Sequence, residues 1–219
     1  MLKIYDYTPG ELCKVDLLKV IYTTYSDVGY PNEFDSVTIN EQIWMKKNLE
    51  VLFFKNGEPI NQVVNAGDWE KACDSNEPAW CYYNFDAGNS AYGKLYNWHA
   101  VNDARGLAPS GWRIPTVSDF NTLATNLGGS SVAGKKLKES GTSHWDTANG
   151  TNTSLFTALG GGYCNNAGSM TQLKKTAYFW TNQESGTTAR SFYAEDANDV
   201  FSNNYFDKCY GFSVRCIKN

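Results

Sequence analysis

The chain has 219 residues, of which 42% are hydrophobic, 15% aromatic and 19% charged, and its formal net charge is −4. This balance is typical of a folded domain and excludes disorder for most of the chain. The lysines and arginines are scattered, without a basic run that could follow a phosphate backbone, so we do not expect nucleic acid as a partner.

The first segment, residues 1–36, is predicted to be an extension. It contains an apolar stretch from Leu17 to Tyr25, which predicts one strand or short helix, and then a turn-rich piece from Ser26 to Asn32. No stretch of the chain approaches the roughly 20 apolar residues that cross a bilayer. We therefore expect no membrane span.

The same segment does not read as a signal peptide. Charged side chains interrupt the region where a signal peptide needs an apolar core, namely Asp6, Glu11, Lys14 and Asp16. We therefore expect that a signal either has been removed or never existed.

The second segment, residues 37–219, alternates short aromatic-rich strand candidates with Gly, Asn and Ser turns around two helical patterns. One helix is predicted after Thr116, which forms a capping box with Asp119, and it ends at Gly128-Gly129. Another is predicted from Ala91 to Val101. The predicted strands are Phe156–Leu159, Tyr178–Thr181, Arg190–Ala194 and Gly211–Ile217. The sequence therefore predicts an α+β fold with two helices and short antiparallel strands.

The aromatic content supplies candidates for the core. Four tryptophans with apolar neighbours are expected to pack inside: Trp44, Trp98, Trp112 and Trp180. Three are left open between core and surface: Trp69, Trp80 and Trp145. In the last predicted strand, alternation places Phe212 and Val214 on one face and Ser213 and Arg215 on the other, as in a half-buried strand.

Six cysteines are compatible with disulfides in an oxidising compartment: Cys13, Cys73, Cys81, Cys164, Cys209 and Cys216. Cys73 and Cys81 flank a turn-like segment, so a local bridge and two free buried thiols are both open interpretations. The spacings lack paired C-x2-C knuckles, which argues against a zinc site. We expect no metal and no cofactor.

Motifs along the second segment resemble those of the Fibrobacter succinogenes major paralogous domain. The matching residues are Val37 to Leu49, Tyr92 to Trp98, Gly111 to Thr116, Gly128-Gly129, Val132 to Gly141, His144-Trp145, Phe156 to Leu159, Gly161 to Tyr163 and Gly211 to Cys216. They occur in order over nearly all of residues 37–219, which we assign as one domain.

The resemblance implies a C-type-lectin-like fold, related to that of formylglycine-generating enzymes. It places the chain among envelope or secreted proteins of gut and rumen Bacteroidetes and their phages, so we expect an extracellular, cell-surface or virion location. It also implies that the last part of the domain is a target of diversity-generating retroelements, which vary a recognition face while the framework stays fixed.

The sequence gives little evidence for a set of catalytic residues. His99 and His144 are the two histidines, and no Gly-x-Ser-x-Gly elbow or phosphate-binding loop accompanies them. The link to formylglycine-generating enzymes suggests Cys209 and Cys216 as a copper-binding or thiol pair, but their odd offset sends extended side chains to opposite faces. We therefore expect no enzyme.

Asp196, Asn198 and Asp199 offer clustered oxygens of the kind that bind calcium. These residues lack the glycine and the distal glutamate of an EF-hand loop. We interpret them as solvated turn residues.

The segment from Asn182 to Tyr210 has the composition of a recognition surface. Of its 29 residues, 16 are Asn, Tyr, Ser, Phe or Asp. Tyrosine supplies contact area at low entropic cost, and Asn and Ser supply adaptable hydrogen bonds. Adenine-directed mutation of an AAC codon also reaches these residue types. The alternative is ordinary turns in an aromatic-rich fold.

The favoured hypothesis is therefore a ligand-binding display module without catalysis, whose partner is a protein or a glycan on another cell or host surface. Its predicted ligand-binding residues are Asn182, Glu184, Arg190, Phe192, Tyr193, Asp196, Asn198, Phe201, Asn203, Asn204, Tyr205, Phe206 and Tyr210. One alternative is an invariant envelope or adhesin protein, whose final segment strains would share. Another is a formylglycine-generating-type enzyme, which would need Cys209 and Cys216.

Overall fold

The computed structural model describes residues 34–219. Residues 1–33 of the predicted extension, with its strand or short helix between Leu17 and Tyr25, therefore lie outside the described residues, and Ser36 begins the first strand. Residues 35–219 form one compact unit. No helix among the described residues is both long and apolar enough to traverse a bilayer.

Strands and helices are short and mixed along the described chain. The strands are β1 Ser36–Ile39, β2 Gln42–Met45, β3 Asn61–Gln62, β4 Ala79–Cys81, β5 Leu95–Tyr96, β6 Trp112–Arg113, β7 Gly161–Cys164, β8 Met170–Leu173, β9 Thr176–Ser185, β10 Thr188–Glu195, β11 Phe201–Asp207 and β12 Ile217–Lys218. The helices are α1 Ala66–Asp74, α2 Trp98–Val101, α3 Val117–Asn126 and α4 Ser130–Leu137, with 3-10 turns at Tyr83–Phe85 and Ala87–Tyr92.

These strands form four small sheets, in the orders β1-β2-β12-β6, β11-β10-β9, β3-β4-β5 and β7-β8. All pairs are antiparallel except β3 with β4. Strand β12 pairs with β2 and β6, so the end of the chain returns to the first hairpin. The predicted mixture of helices and short antiparallel strands is confirmed.

The predicted helix after Thr116 is confirmed together with its cap. Thr116 Oγ1 accepts a hydrogen bond from the Asp119 amide at 3.1 Å, and Asp119 Oδ2 accepts one from the Thr116 amide at 2.7 Å. The chain leaves the helix at Gly128 and Gly129, whose φ values of 98° and 104° favour glycine. Local chemistry therefore sets both ends of α3.

The predicted helix from Ala91 to Val101 is wrong over most of its length. Gly93 adopts φ 78° after a 3-10 turn, β5 follows, and α2 begins only at Trp98, where Asn97 caps it. A Cβ on Gly93 would lie 2.8 Å from Cβ of Asn48. Close packing against Asn48 therefore requires a glycine at a position where the sequence pattern predicted a continuous helix.

Two predicted strands are also wrong. Phe156–Leu159 forms only a single bridge from Ala158 to Lys138, because Leu155 and Thr157 have positive φ values that interrupt extended backbone. In Gly211–Ile217, residues 211, 212 and 213 make isolated bridges to three different partners, and only Ile217 enters a strand. Residues 211–216 therefore run between the sheets and do not form a strand in any of them.

Two apolar clusters form the core of residues 34–219. The larger lies between α3, α4, the first hairpin and the β9-β10 pair, and centres on Phe120. The smaller surrounds Trp69 of α1 and includes Leu95. All seven tryptophans are buried, so the prediction for Trp44, Trp98, Trp112 and Trp180 is confirmed and Trp69, Trp80 and Trp145 join them.

Arg215 corrects the prediction that the closing segment is half-buried. Its side chain is fully buried, and its guanidinium donates to Oδ1 of Asn48 and to the carbonyl oxygens of Met45, Phe156 and Thr157. Burial lowers the pKa of Arg215 to about 9. One cation thus joins the start, middle and end of the domain through neutral acceptors.

Candidate ligand-binding surface

The thirteen predicted ligand-binding residues all lie on or beside the β9-β10-β11 sheet, but they do not form one surface. Strand alternation divides them between two faces, because Phe192 pairs with Asn203 and the neighbouring Tyr193 pairs with Ser202 on the opposite side. Others lie in the hairpins at either end. The structure therefore separates a single predicted set into distinct groups.

Phe192 and Phe201 are a correction, since neither can touch a ligand. Each is 1% exposed, and both pack against Phe120 of α3, with ring centroids 4.9 and 5.7 Å away. They lie on the sheet face that α3 and α4 cover. Their residue type matches a recognition surface, but register places them in the core.

The opposite side of the sheet carries a group of partly exposed aromatic rings, which we call the aromatic face. It consists of Tyr163 of β7, Tyr178 of β9, Tyr193 of β10, Phe206 of β11 and Tyr210. Tyr178 and Tyr193 are directly paired across the sheet, with ring centroids 5.5 Å apart. Tyr163 stacks on Tyr210 at 5.5 Å and 8°. The five rings form a continuous contact network.

Phe212 supports the aromatic face from beneath. It is fully buried, and its ring stacks on Tyr178 at 4.6 Å and meets Phe206 edge-on at 5.1 Å. It also contacts Tyr163 and Tyr210. Because Phe212 is held by backbone hydrogen bonds to Tyr96 in both directions, the exposed rings rest on a fixed platform.

Burial also changes the pKa of two tyrosine hydroxyl groups on this face. It raises the pKa of Tyr178, with a smaller contribution from Tyr163, and it raises the pKa of Tyr163 beside Tyr210. These phenols therefore stay protonated at neutral pH and serve as hydrogen-bond donors as well as apolar contacts.

Sequence reasoning identified three members of the aromatic face and missed two. Tyr193, Phe206 and Tyr210 are among the predicted ligand-binding residues, whereas Tyr163 belongs to a family motif and Tyr178 to a predicted strand. Tyr178 stands in a continuous apolar run, where alternation gives no signal. Exposed Asn204, which was predicted, lies two residues from Phe206 on the same side of β11 and borders the face.

Arg190, Asn203 and Tyr205 form a second group of predicted residues. They lie on the same side of the sheet as Phe192 but outside the core. Arg190 Nη1 donates to Asn203 Oδ1 at 2.6 Å, and the guanidinium lies 4.2 Å from the centroid of the Tyr205 ring. The Tyr205 hydroxyl accepts from Gln183 Nε2 at 3.1 Å. These side chains form a polar cluster separate from the aromatic face, in which Arg190 Nε is buried without a hydrogen-bond partner among the described residues.

The turn between β10 and β11 has an internal role. Lys138 is 1% exposed, and its Nζ donates to the carbonyl oxygens of Glu195 at 2.6 Å and Asn198 at 2.7 Å, with Asp196 at 3.5 Å. The Asn198 side chain donates to Glu195 Oε2. Asp196 and Asn198 are therefore partly committed to holding the turn closed over a buried lysine.

The remaining predicted residues lie near the β9-β10 hairpin. Asn182 is exposed and its amide donates to the Pro115 carbonyl at 3.0 Å. Exposed Glu184 forms an ion pair with Lys208, whose Nζ lies 4.8 Å from the Trp98 ring centroid. Both side chains are accessible, and neither belongs to the aromatic face.

Of the two open interpretations for Cys73 and Cys81, the structure shows free buried thiols. The five described cysteines carry free thiols, so no local bridge joins Cys73 to Cys81. Cys73 instead contacts Cys209, and Cys81 contacts Cys164. Cys216 is fully buried, and burial raises its pKa to about 12.

Each histidine contacts a titratable side chain. His144 Nδ1 lies 2.8 Å from Glu139 Oε2, and its ring meets Tyr92 edge-on. His99 lies in α2 and contacts the Cys209 thiol. Among residues 34–219, no three His, Cys, Asp or Glu side chains converge in a way that could hold a metal ion.

Fold and surface together define a mixed helix and strand domain that exposes an aromatic sheet face. Residues 37–218 match the family model of the Fibrobacter succinogenes major domain. The chain belongs to this family, as its motifs indicated. The comparisons with curated proteins and with solved structures give no match.

Proposed function

We propose that the chain is a non-catalytic binding module whose aromatic face recognises a protein partner. The observation that carries the proposal is the contact network of five partly exposed aromatic rings over the buried Phe212. Contiguous apolar patches on a protein surface mark interaction sites, and aromatic residues supply most binding hot spots.

The arrangement of the rings favours a protein over a glycan. Tyr178 is nearly perpendicular to both Tyr163 and Phe206, at 80° and 84°. The surface therefore presents ring edges and hydroxyls in several directions, which suits the mixed apolar and polar contacts of a protein interface. Asn204 and Ser202 add hydrogen-bonding groups beside the rings.

The finer part of the proposal is a C-type-lectin-like framework with a retroelement-diversified face. Four accessible residues, Tyr193, Asn204, Phe206 and Tyr210, are of types that adenine-directed mutation of an AAC codon produces, and the following residues 211–217 are buried. The proposed location is extracellular, at the cell surface or on a phage virion.

Binding is tested with the full chain and intact bacterial cells as the probe surface. The variant Y193S/F206S/Y210S removes three rings from the aromatic face, and Q183A/Y205A on the other side of the sheet is the matched control. We expect the first variant to lose cell binding by tenfold or more and the control to keep it, since hot-spot aromatics typically contribute at least about 2 kcal/mol each.

Treatment of the cells distinguishes the partners. Protease treatment that abolishes binding supports a protein ligand, whereas loss only after periodate oxidation of cell-surface sugars would replace it with a glycan. Unchanged binding by the triple variant would remove the aromatic face from the function altogether.

Diversification has a separate genomic test. It requires a nearby template repeat that matches the end of the gene and differs from it only at adenines of the template. A final segment that is identical among strains would contradict diversification and favour the invariant envelope protein, without affecting the binding experiment.

A further inference from the structure

Four cysteines of the smaller core cluster lie together in two pairs. Cys73 Sγ of α1 donates to the Cys209 carbonyl oxygen at 3.5 Å, and the two thiols are close enough that each shifts the pKa of the other. Cys81 of β4 and Cys164 of β7 belong to the same buried cluster, where Cys164 raises the pKa of Cys81. Each pair joins segments that are distant in the sequence.

The backbone around both pairs is already fixed. Cys164 and Gly211 exchange backbone hydrogen bonds of 3.1 and 2.8 Å, and Trp69 Nε1 of α1 donates to the Cys209 carbonyl at 3.2 Å. A Cβ on Gly211 would lie 3.0 Å from the Trp69 ring and 3.1 Å from Cβ of Cys164. Residues 209–211 are therefore held against α1 and β7 without a covalent bond.

The two pairs differ in accessibility. Cys81 and Cys164 are fully buried, whereas Cys209 is partly exposed. Hydrogen bonds from Cys73 and His99 lower the pKa of Cys209 to about 6 despite partial burial, while the bond to Cys209 and desolvation raise the pKa of Cys73. Cys209 is thus the sulfur that carries thiolate at neutral pH and meets solvent.

We propose that Cys73 with Cys209, and Cys81 with Cys164, are two disulfide-forming pairs that are oxidised by thiol–disulfide exchange. The oxidant is a low-molecular-weight disulfide such as oxidised glutathione or a protein of the same chemistry. This site is independent of the proposed binding function.

For the first pair, the Cys209 thiolate attacks one sulfur of the oxidant, forms a mixed disulfide and releases one glutathione thiolate. The Cys73 thiol then loses its proton and attacks Sγ of Cys209, which releases the second glutathione thiolate. The two protein thiols are oxidised to one disulfide, one oxidised glutathione is reduced to two thiols, and the two protons end on those thiols.

The second pair needs the same exchange but is shielded from solvent. We expect Cys81 and Cys164 to be oxidised while the chain folds, and Cys73 and Cys209 to react in the folded domain as well. The order follows from access to the oxidant, because exchange requires approach of the attacking and attacked sulfurs.

The connectivity is tested in the full chain carrying Cys13→Ser, so that the cysteines counted are the five described ones. The reduced, denatured protein is refolded in reduced and oxidised glutathione, alkylated and digested without reductant for mass spectrometry. We expect linked peptides for Cys73 with Cys209 and for Cys81 with Cys164, each lacking two hydrogens, and alkylated Cys216. A Cys73–Cys81 link, a link to Cys216 or five alkylated thiols would overturn the proposal.

The order of attack is tested on the folded, reduced protein with oxidised glutathione. In Cys73→Ser, Cys209 should accumulate as a mixed disulfide with glutathione. In Cys209→Ser, Cys73 should react with oxidised glutathione at least tenfold more slowly and stay reduced over the same period. Equal rates in the two variants would contradict the assignment of Cys209 as the attacking sulfur.

Discussion

The guanidinium of Arg215 donates two hydrogen bonds to Oδ1 of Asn48, at 3.1 and 2.7 Å, although 167 residues separate them. Its other donors reach the carbonyl oxygens of Met45, Phe156 and Thr157. Among the described contacts, every acceptor is neutral, so the buried charge is balanced by dipoles and not by a carboxylate.

Replacement of Arg215 should therefore destabilise the domain strongly. Arg215→Leu leaves Asn48 Oδ1 and several carbonyls buried without donors, and we expect a loss of at least about 3 kcal/mol in the free energy of unfolding. Urea denaturation measures it. The control Lys218→Leu changes an exposed residue of β12 and should cost under about 0.5 kcal/mol. Similar losses in both variants would contradict the structural role of Arg215.

Asp119 should make stability depend on pH in the acid range. Burial alone would raise its pKa, but hydrogen bonds from Arg113 and Thr116 outweigh burial and lower it to about 2. A carboxyl with a depressed folded-state pKa stabilises the fold above its unfolded pKa of about 3.9 and loses that contribution as pH falls towards 2.

We therefore expect a loss of about 2 kcal/mol between pH 5 and pH 2 that is attributable to Asp119. Asp119→Asn should be less stable than wild type at pH 6 and should show a shallower decline on acidification. Urea denaturation at a series of pH values measures both slopes, and parallel curves would show that Asp119 does not titrate in this way.

Two helical glycines should respond oppositely to alanine. A Cβ on Gly134 of α4 would lie 2.2 Å from the Val200 carbonyl oxygen, whereas a Cβ on Gly67 of α1 would meet only Asn65 Oδ1 at 3.6 Å. Gly134→Ala should cost about 2 kcal/mol or more, because backbone must shift. Gly67→Ala should be neutral or stabilise by up to about 1 kcal/mol. Thermal unfolding tests the pair; a tolerated Gly134→Ala would mean that α4 packs less closely.

Substitutions of two neighbouring aromatic residues on β10 should have different effects on stability and on partner binding. Phe192→Ala removes a core ring and should cost about 3 to 5 kcal/mol. Tyr193→Ala removes a partly exposed ring and should cost less than half as much while weakening partner binding. Unfolding and cell-binding measurements on the two variants check this, and an equal stability loss would place Tyr193 in the core.

The sequence predicted those parts that local chemistry decides. The α3 helix follows from its Thr116 and Asp119 cap and from Gly128-Gly129, and the strands around Tyr178 and Arg190 follow from apolar and aromatic residues between turns. Helix α1 was missed because Asn65 and Asp68 look like loop residues until the Trp69 side chain is seen to be buried.

Long-range packing decided what the sequence could not. The division of Phe192 from Tyr193 depends on which side of the sheet α3 and α4 cover, and Tyr163 joins Tyr210 only because β7 lies beside residue 211. The cysteine pairs likewise depend on which distant segments meet in the smaller core cluster. Residue types and family motifs are determined by sequence alone, whereas exposure and neighbours are properties of the assembled tertiary structure, since distant segments create them.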